Sequence, residues 1–213
     1  MTPMNDSHPT RATAPDIVLF DMFGVIARHQ SEAGKERLAA IAGGPAAAFW
    51  DAYWGLRQPY DRGDVNGVAY WKQVADSLGT SFDDARVARL VEADLASWSA
   101  VDDTMVALVE ELAAARQPIA LLSNIPEELA AHYEERHSWL ELFQVCAFSC
   151  RIGHAKPEPG AYRWCLDALG AEPGRVLFVD DREDNIRAAE DAGVRGHLFT
   201  TPTRLREALR LGA

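Results

Sequence analysis

Apolar residues fall along this chain in two patterns. Short unbroken runs, IVLF at 17–20, IALL at 119–122, VCAFS at 145–149 and VLFV at 176–179, with a weaker GHLF at 196–199, show no polar alternation. Runs of that kind predict strands covered on both faces. Apolar positions recur at helical spacing over 103–115, 126–137, 159–169, 183–192 and 202–211. Buried strands separated by helices require parallel crossovers, so the pattern predicts an open α/β sheet. Pro126, Pro159 and Pro202 open three of these helices, where a missing N–H costs nothing, and Gly170 and Gly193 mark two helix ends.

The interval between the first two apolar runs is several times longer than a crossover helix needs. It holds helical periodicity and no strand-like run, with helices predicted over 31–42, 45–56, 66–78 and 81–98. The reading is a small inserted four-helix cap (30–99) on an α/β core built from 16–29 and 100–213, with a flexible tail at 1–15. Trp50, Trp54, Trp71 and Trp98 lie in the insertion with Tyr53, Tyr60 and Tyr70. Most are expected to form its core, with Trp54 and Tyr60 as candidates to face a ligand.

Composition narrows the picture. A chain of 213 residues, 48% hydrophobic and 25% charged, suits one large domain or a core with an insertion, and leaves disorder unsupported. Lys and Arg number 21 against 32 Asp and Glu, a net charge of -11 with no basic run. That balance argues against nucleic acid and against an anionic membrane surface as partners. Cys146, Cys150 and Cys165 have no paired spacing and read as small buried hydrophobes in a reducing compartment. With no apolar stretch approaching the ~20 residues of a membrane span and no signal-peptide pattern, a cytoplasmic protein is expected, monomer or homodimer.

In open α/β sheets ligands bind beyond the carboxyl ends of the strands. The residues there form a set: Asp21-Met22-Phe23-Gly24 after the first run, Ser123-Asn124 after the second, Lys156 beyond the third, and Asp180-Asp181 after the fourth, followed by Asp184 and Asn185. Each alone is ordinary cap or turn chemistry. Together, carboxylates converging on one edge repel one another unless a cation sits among them, and hard oxygen donors select Mg2+. Lys156 and Ser123 then suit an anionic cluster of oxygens such as a phosphoryl group.

This constellation resembles the haloacid dehalogenase superfamily of hydrolases, in the branch with a helical cap after the first motif. The matching segments are IVLFDMFGVI, ALLSN, IGHAKPEPGAY and FVDDREDNIRAAEDAGV. YDRGDV, LLSN, KPEPGAY and FVDDREDNI look most like the glucose-1-phosphatase type of sugar-phosphate phosphatases. The resemblance implies a Rossmann-like core and a phosphomonoester hydrolase for a small phosphorylated metabolite, such as a sugar phosphate. It implies that Asp21 is the nucleophile and forms an aspartyl-phosphate. Mg2+ would be held by Asp21, the Phe23 carbonyl, Asp180 and Asp181, with Asp184 and Asn185 in support. Ser123, Asn124, Lys156 and backbone N–H groups near Gly24 would hold the transferring oxygens. Arg28, Trp54, Arg57, Tyr60 and Arg62 are candidates to contact the leaving group.

One position departs from that pattern. Phosphatases of the family usually carry an acid–base Asp where this chain has Phe23, a group worth ~100- to 10,000-fold in rate. His29 and His154 are candidate substitutes by position. An aromatic residue there also fits the 2-haloacid dehalogenases, which work without metal, and a binding or regulatory protein with little turnover. The adjacent pair Asp180 and Asp181 favours a metal and therefore phosphoryl transfer.

Overall fold

The computed structural model describes residues 15–211; the expected tail lies, but for Pro15, outside the described residues. Among those residues five strands form one parallel sheet: β1 (Ile17–Phe20), β2 (Ile119–Ser123), β3 (Cys146–Phe148), β4 (Val176–Asp180) and β5 (Arg195–Leu198), in the order β3-β2-β1-β4-β5. β1 pairs with β2 through Phe20 opposite Leu121, and with β4 through Phe20 opposite Val179. The chain therefore moves outward from β1 to β3, then crosses to the far side of β1 to lay down β4 and β5. Strand order reverses between β1 and β4, where parallel sheets open a crevice.

β1 and β2 feed the long insertion, where α1 (Glu32–Ala42), α2 (Ala46–Gly55), α3 (Arg57–Asp61), α4 (Gly67–Ser77) and α5 (Asp84–Ser97) follow one another. The sequence pattern predicts four of these. The short α3 falls within the run from 45 to 61 that carries aromatic and charged residues at every turn, so no clean apolar stripe announces it. Ser31, Asn66 and Asp83 cap α1, α4 and α5 by accepting from Gly34, Ala69 and Arg86 backbone N–H groups. Leu38, Phe49, Tyr53, Tyr70, Trp71 and Leu90 form a separate apolar cluster inside this insertion.

The remaining helices are α6 (Asp103–Ala114), α7 (Glu127–Arg136), α8 (Ser149–Ile152), α9 (Pro159–Leu169), α10 (Glu183–Asp191) and α11 (Pro202–Leu209). Side chains alternate across the strands, so each strand feeds two layers. Val18, Phe20, Leu121 and Val179 pack with α6, α7 and Leu205 of α11. Leu19, Leu122, Ala147 and Phe178 pack with Ala161, Tyr162 and Cys165 of α9 and Ile186 and Ala189 of α10. The third apolar run ends sooner than its pattern suggests: Ser149 opens α8, because its hydroxyl is engaged by the Ile125 N–H at 2.8 Å and donates to the Asp61 carbonyl at 2.5 Å.

The insertion docks on the sheet edge through polar contacts. Glu128 of α7 accepts from the Tyr60 hydroxyl at 3.0 Å and from the Gly67 N–H, at the first turn of α4, at 2.9 Å. Arg62 and Gln58 both donate to Glu158 Oε1, at 2.9 and 3.1 Å. A helix N-terminus favours an anion, so Glu128 caps α4 from another layer of the fold. The Glu128→Ala variant leaves the Tyr60 hydroxyl and the Gly67 N–H unpaired; urea unfolding is expected to show a loss of ~1–3 kcal/mol, and an unchanged midpoint would contradict this docking role.

Candidate active site

β1 and β4 end side by side, with the Asp21 N–H donating to the Val179 carbonyl at 2.8 Å, which sets Asp21 next to Asp180. Lys156, from the loop before α9, places its ammonium between them, 2.6 Å from Asp21 Oδ1 and 2.7 Å from Asp180 Oδ2. All three are buried. Asp180 also accepts from the Arg182 N–H at 2.8 Å and, at both oxygens, from the Asn185 amide at 3.0 Å. The amide of Asn124, beyond β2, closes the arrangement: it donates to the Lys156 carbonyl and accepts from the Lys156 N–H, both at 2.7 Å. Asn124 therefore fixes the Lys156 backbone, a role that a strand-end turn motif does not announce.

Burial and charge act against each other on these groups. For Asp21 burial dominates and is reinforced by Asp180, so its pKa lies well above the ordinary carboxylate value although Lys156 opposes the shift. For Asp180 burial also raises the pKa, but the Lys156 charge and the hydrogen bonds from Lys156, the Arg182 N–H and Asn185 outweigh it and hold the group below its usual range. Lys156 is pulled down by burial and pushed up further by Asp21 and Asp180, so it stays protonated.

Asp181 completes the set. One oxygen each from Asp21, Asp180 and Asp181 lies within 4.8 Å of the others. Asp181 Oδ2 is 3.0 Å from His29 Nε2, while Asp181 Oδ1 is buried with no hydrogen-bond partner among the described residues. Gly24 permits this closeness: its φ is +90°, and a Cβ there would stand 2.3 Å from Asp181 Oδ2. An orphaned carboxylate oxygen beside two further hard oxygen donors, one of them with a raised pKa, fits a divalent cation bound by oxygen.

The cluster opens into a cleft of about 330 Å3 lined by Asp21, Phe23, His29, Trp54, Arg57, Asp61, Trp98, Asn124, Leu129, Lys156, Asp181, Arg182 and Asn185. Ser123 is fully buried at the end of β2; its hydroxyl lacks a partner among the described residues and it is not part of that lining. Phe23 packs edge-on against Trp98 and Tyr133, with ring centroids at 5.0 and 5.6 Å.

Three leaving-group candidates lie elsewhere. Arg28 is exposed and pairs at long range with Asp102; Tyr60 is buried, stacked on Tyr70 and bonded to Glu128; Arg62 pairs with Asp64 and Glu158. Each is drawn to a nearer partner than the cleft supplies. His154 faces Glu158, and Asp184 pairs with Arg182. Arg57 and Trp54 do reach the cleft, as does His29. Asp61, Trp98, Leu129 and Arg182 join them without having been singled out, because nothing in their spacing distinguishes a cleft wall from an insertion core.

Comparison with known proteins gives the family. The sequence matches the hydrolase family described as haloacid dehalogenase-like hydrolase over residues 15–193, and the chain belongs to that family. It is 26% identical over 202 residues to phosphoglycolate phosphatase 1 of Pseudomonas aeruginosa, covering 90% of this chain and 72% of that protein. It is 45% identical over 66 residues to bifunctional epoxide hydrolase 2 of Sus scrofa, which covers 30% of this chain and only 12% of that much longer protein. A magnesium complex of a HAD family enzyme from Bacteroides thetaiotaomicron superposes with a TM-score of 0.77 at 17% identity, covering 93% of this chain and all (100%) of that one. The L-2-haloacid dehalogenase of Xanthobacter autotrophicus gives 0.64 at 19% identity, covering 93% and 84%. Both structural likenesses speak to the fold. No helix among the described residues is long and apolar enough to cross a membrane.

The Lys156→Met variant removes the charge between Asp21 and Asp180, and loss of one partner from a buried ionic set costs ~3–5 kcal/mol. Without Lys156 both carboxyls titrate above their unfolded values, so the variant gains stability, relative to the native chain, as pH falls through their raised folded pKa values and they become neutral. In chelator, urea titrations should show a large deficit at pH 7 that shrinks toward pH 4; a deficit that does not vary with pH would contradict the assignment.

Proposed function

We propose that this haloacid dehalogenase-like hydrolase is a Mg2+-dependent phosphomonoesterase acting on a small phosphorylated metabolite through an aspartyl-phosphate on Asp21. The observation that carries the reading is the convergence of Asp21, Asp180 and Asp181 around an orphaned carboxylate oxygen, with the Lys156 ammonium at its edge. A dehalogenase attacks carbon and needs no such acidic pair, so the cluster favours phosphoryl transfer over the aromatic residue at position 23 as a guide. Phosphatases among the relatives, including that of Pseudomonas aeruginosa, support the same reaction class.

Asp21, Asp180, Asp181 and the Phe23 carbonyl would hold the ion, which supplies charge neutralisation for the incoming phosphoryl group and the carboxylates. Asp21 attacks phosphorus in line through the oxygen that Lys156 and the Met22 N–H orient, the latter at 2.6 Å. The P–O bond to the leaving alcohol breaks as the Asp21–phosphorus bond forms; water then cleaves the acyl phosphate and restores the carboxylate. Lys156 would stabilise the transferring oxygens; Ser123 is buried at the end of β2 outside the cleft lining, and its part as a further donor to them rests on the family resemblance. Asn124 and Asn185 act by holding Lys156 and Asp180.

Position 23 supplies packing instead of a proton. Its ring is fixed between Trp98 and Tyr133, and His29 is the imidazole that lines the cleft among the described residues. Two outcomes follow. An aryl phosphate should be hydrolysed only with Mg2+, and the Asp21→Asn variant should fall by at least ~1,000-fold because the nucleophile itself is gone; turnover that survives chelator or the variant would sink the proposal. With no carboxylic acid at position 23, aryl esters should outpace alkyl esters of similar size by ~100-fold or more in kcat. Equal rates across a series of leaving-group pKa values would show that another acid replaces it fully.

A further inference from the structure

The apolar surface of the cleft begins two residues from Asp21. The Phe23 ring meets Trp98 at 5.0 Å and Trp98 meets Trp54 at 6.2 Å, both edge-on, so three rings of the lining form one continuous chain. Leu129 adds an aliphatic side chain to the same lining. The Trp98 indole N–H, its one donor, is spent on the Tyr53 hydroxyl at 3.2 Å. Trp54 ends the chain of rings while 52% exposed, an unusual placement for so large an apolar side chain.

The polar side chains of the lining are taken up within the protein. Lys156 is held by Asp21 and Asp180, Asn185 bonds Asp180, and the Asn124 amide uses both its ends on the Lys156 main chain. Arg182 reaches Asp184 through Nε and Nη2, and His29 Nε2 lies 3.0 Å from Asp181. Arg57 is buried, bonds Asp61, Asp94 and the Tyr53 hydroxyl, and lies over the rings of Tyr53, Tyr60 and Tyr70 at 5.1, 5.2 and 6.0 Å. Among the described residues, every Lys or Arg lining the cleft is thus paired with a carboxylate.

That arrangement decides what can sit beyond the phosphoryl group. A second anion there would compete with a carboxylate for its cation, and displacing Asp61 or Asp94 from the buried Arg57 would leave that carboxylate uncompensated. A ring of hydroxyls would give up water for side chains already engaged, at a cost for each unmatched group. Apolar surface gains by leaving water and meets rings it can pack on. Phe23 itself supplies an apolar ring where the family's phosphatases usually carry a polar acid.

We infer that the leaving-group end of this cleft takes an uncharged, apolar, single-ring alcohol, packed on Phe23, Trp98 and Trp54, and selects against polyhydroxylated and carboxylate-bearing alcohols. The inference rests on the phosphatase reading of the same site. It departs from the sugar phosphates that the resemblance in sequence implies.

Steady-state kinetics with benzyl phosphate, a hexose 6-phosphate, phosphoglycolate and acetyl phosphate test it. Benzyl phosphate and the hexose ester each carry the phosphate through a methylene on a six-membered ring, so they differ mainly in the polarity of that ring. Benzyl phosphate should exceed both the hexose ester and phosphoglycolate in kcat/KM by about tenfold or more, the factor that a few apolar contacts give in a pocket. Trp54→Ala should raise KM for benzyl phosphate about tenfold more than KM for acetyl phosphate, whose acetyl group offers little apolar surface. Trp54→Phe, which restores a ring, should recover most of that difference. A hexose ester or phosphoglycolate turned over as well as benzyl phosphate, or a benzyl KM no more sensitive to Trp54→Ala than the acetyl KM, would overturn the inference and leave the phosphatase reading intact. If none of the four esters is hydrolysed, the phosphatase reading fails instead. Calorimetry on the native protein in Mg2+ then decides the subsite: tighter binding of benzyl phosphate than of the hexose ester supports it, and equal or weaker binding overturns it.

Discussion

The ammonium of Lys156 makes the carboxyl edge of this sheet possible. Parallel pairing of β1 with β4 brings Asp21 and Asp180 together out of water, an arrangement that repulsion and burial both oppose. One buried cation within hydrogen-bond distance of both carboxylates offsets that cost. Its position depends in turn on the Asn124 amide, which grips the Lys156 main chain from the end of β2. Three strands and one loop are thereby fixed around a single charge, and Asp181 is left with an oxygen that no described residue satisfies.

A second buried cation organises the insertion. Arg57 lies over the Tyr53 and Tyr60 rings, with its guanidinium carbon 5.1 and 5.2 Å from their centroids, and bonds Asp61, Asp94 and the Tyr53 hydroxyl. Gln30, at the start of the insertion, donates to Tyr53, Asp94 and Ser97, so the entering and leaving segments are tied into the same network. Ser149 and Glu128 then fasten α3 and α4 to the sheet. Members of both ionic networks, Lys156 and Asp21 of one and Arg57 and Asp61 of the other, line the cleft together with Phe23, Trp54 and Trp98.

Much of this was legible in the chain. The apolar runs locate β1, β2 and β4 because residues buried on both faces leave an uninterrupted signature, while the short β3 and the part-exposed β5 give weaker runs; the strand-end rule places Asp21, Ser123, Asn124, Lys156 and Asp180 at one edge. The insertion follows from the length of the gap before β2. What the pattern did not reveal depends on tertiary partners. Arg28, Tyr60, Arg62 and Arg57 are equivalent as letters; Tyr60 and Arg62 are taken up by Glu128 and Glu158 from distant parts of the chain, and Arg57 alone of the arginines in this group is turned toward the cleft. Asn124 looks like turn chemistry and serves as a clamp. The short helix α3 is set by the charges of Arg57 and Asp61, not by an apolar stripe.

Calorimetric titration of the chelator-treated protein with Mg2+, beside the Asp181→Asn variant, tests the central claim most directly. One ion per chain with affinity sharply reduced in the variant is the result expected of an oxygen cluster assembled around Asp181. No heat of binding in the native chain, or equal uptake by both proteins, would contradict it.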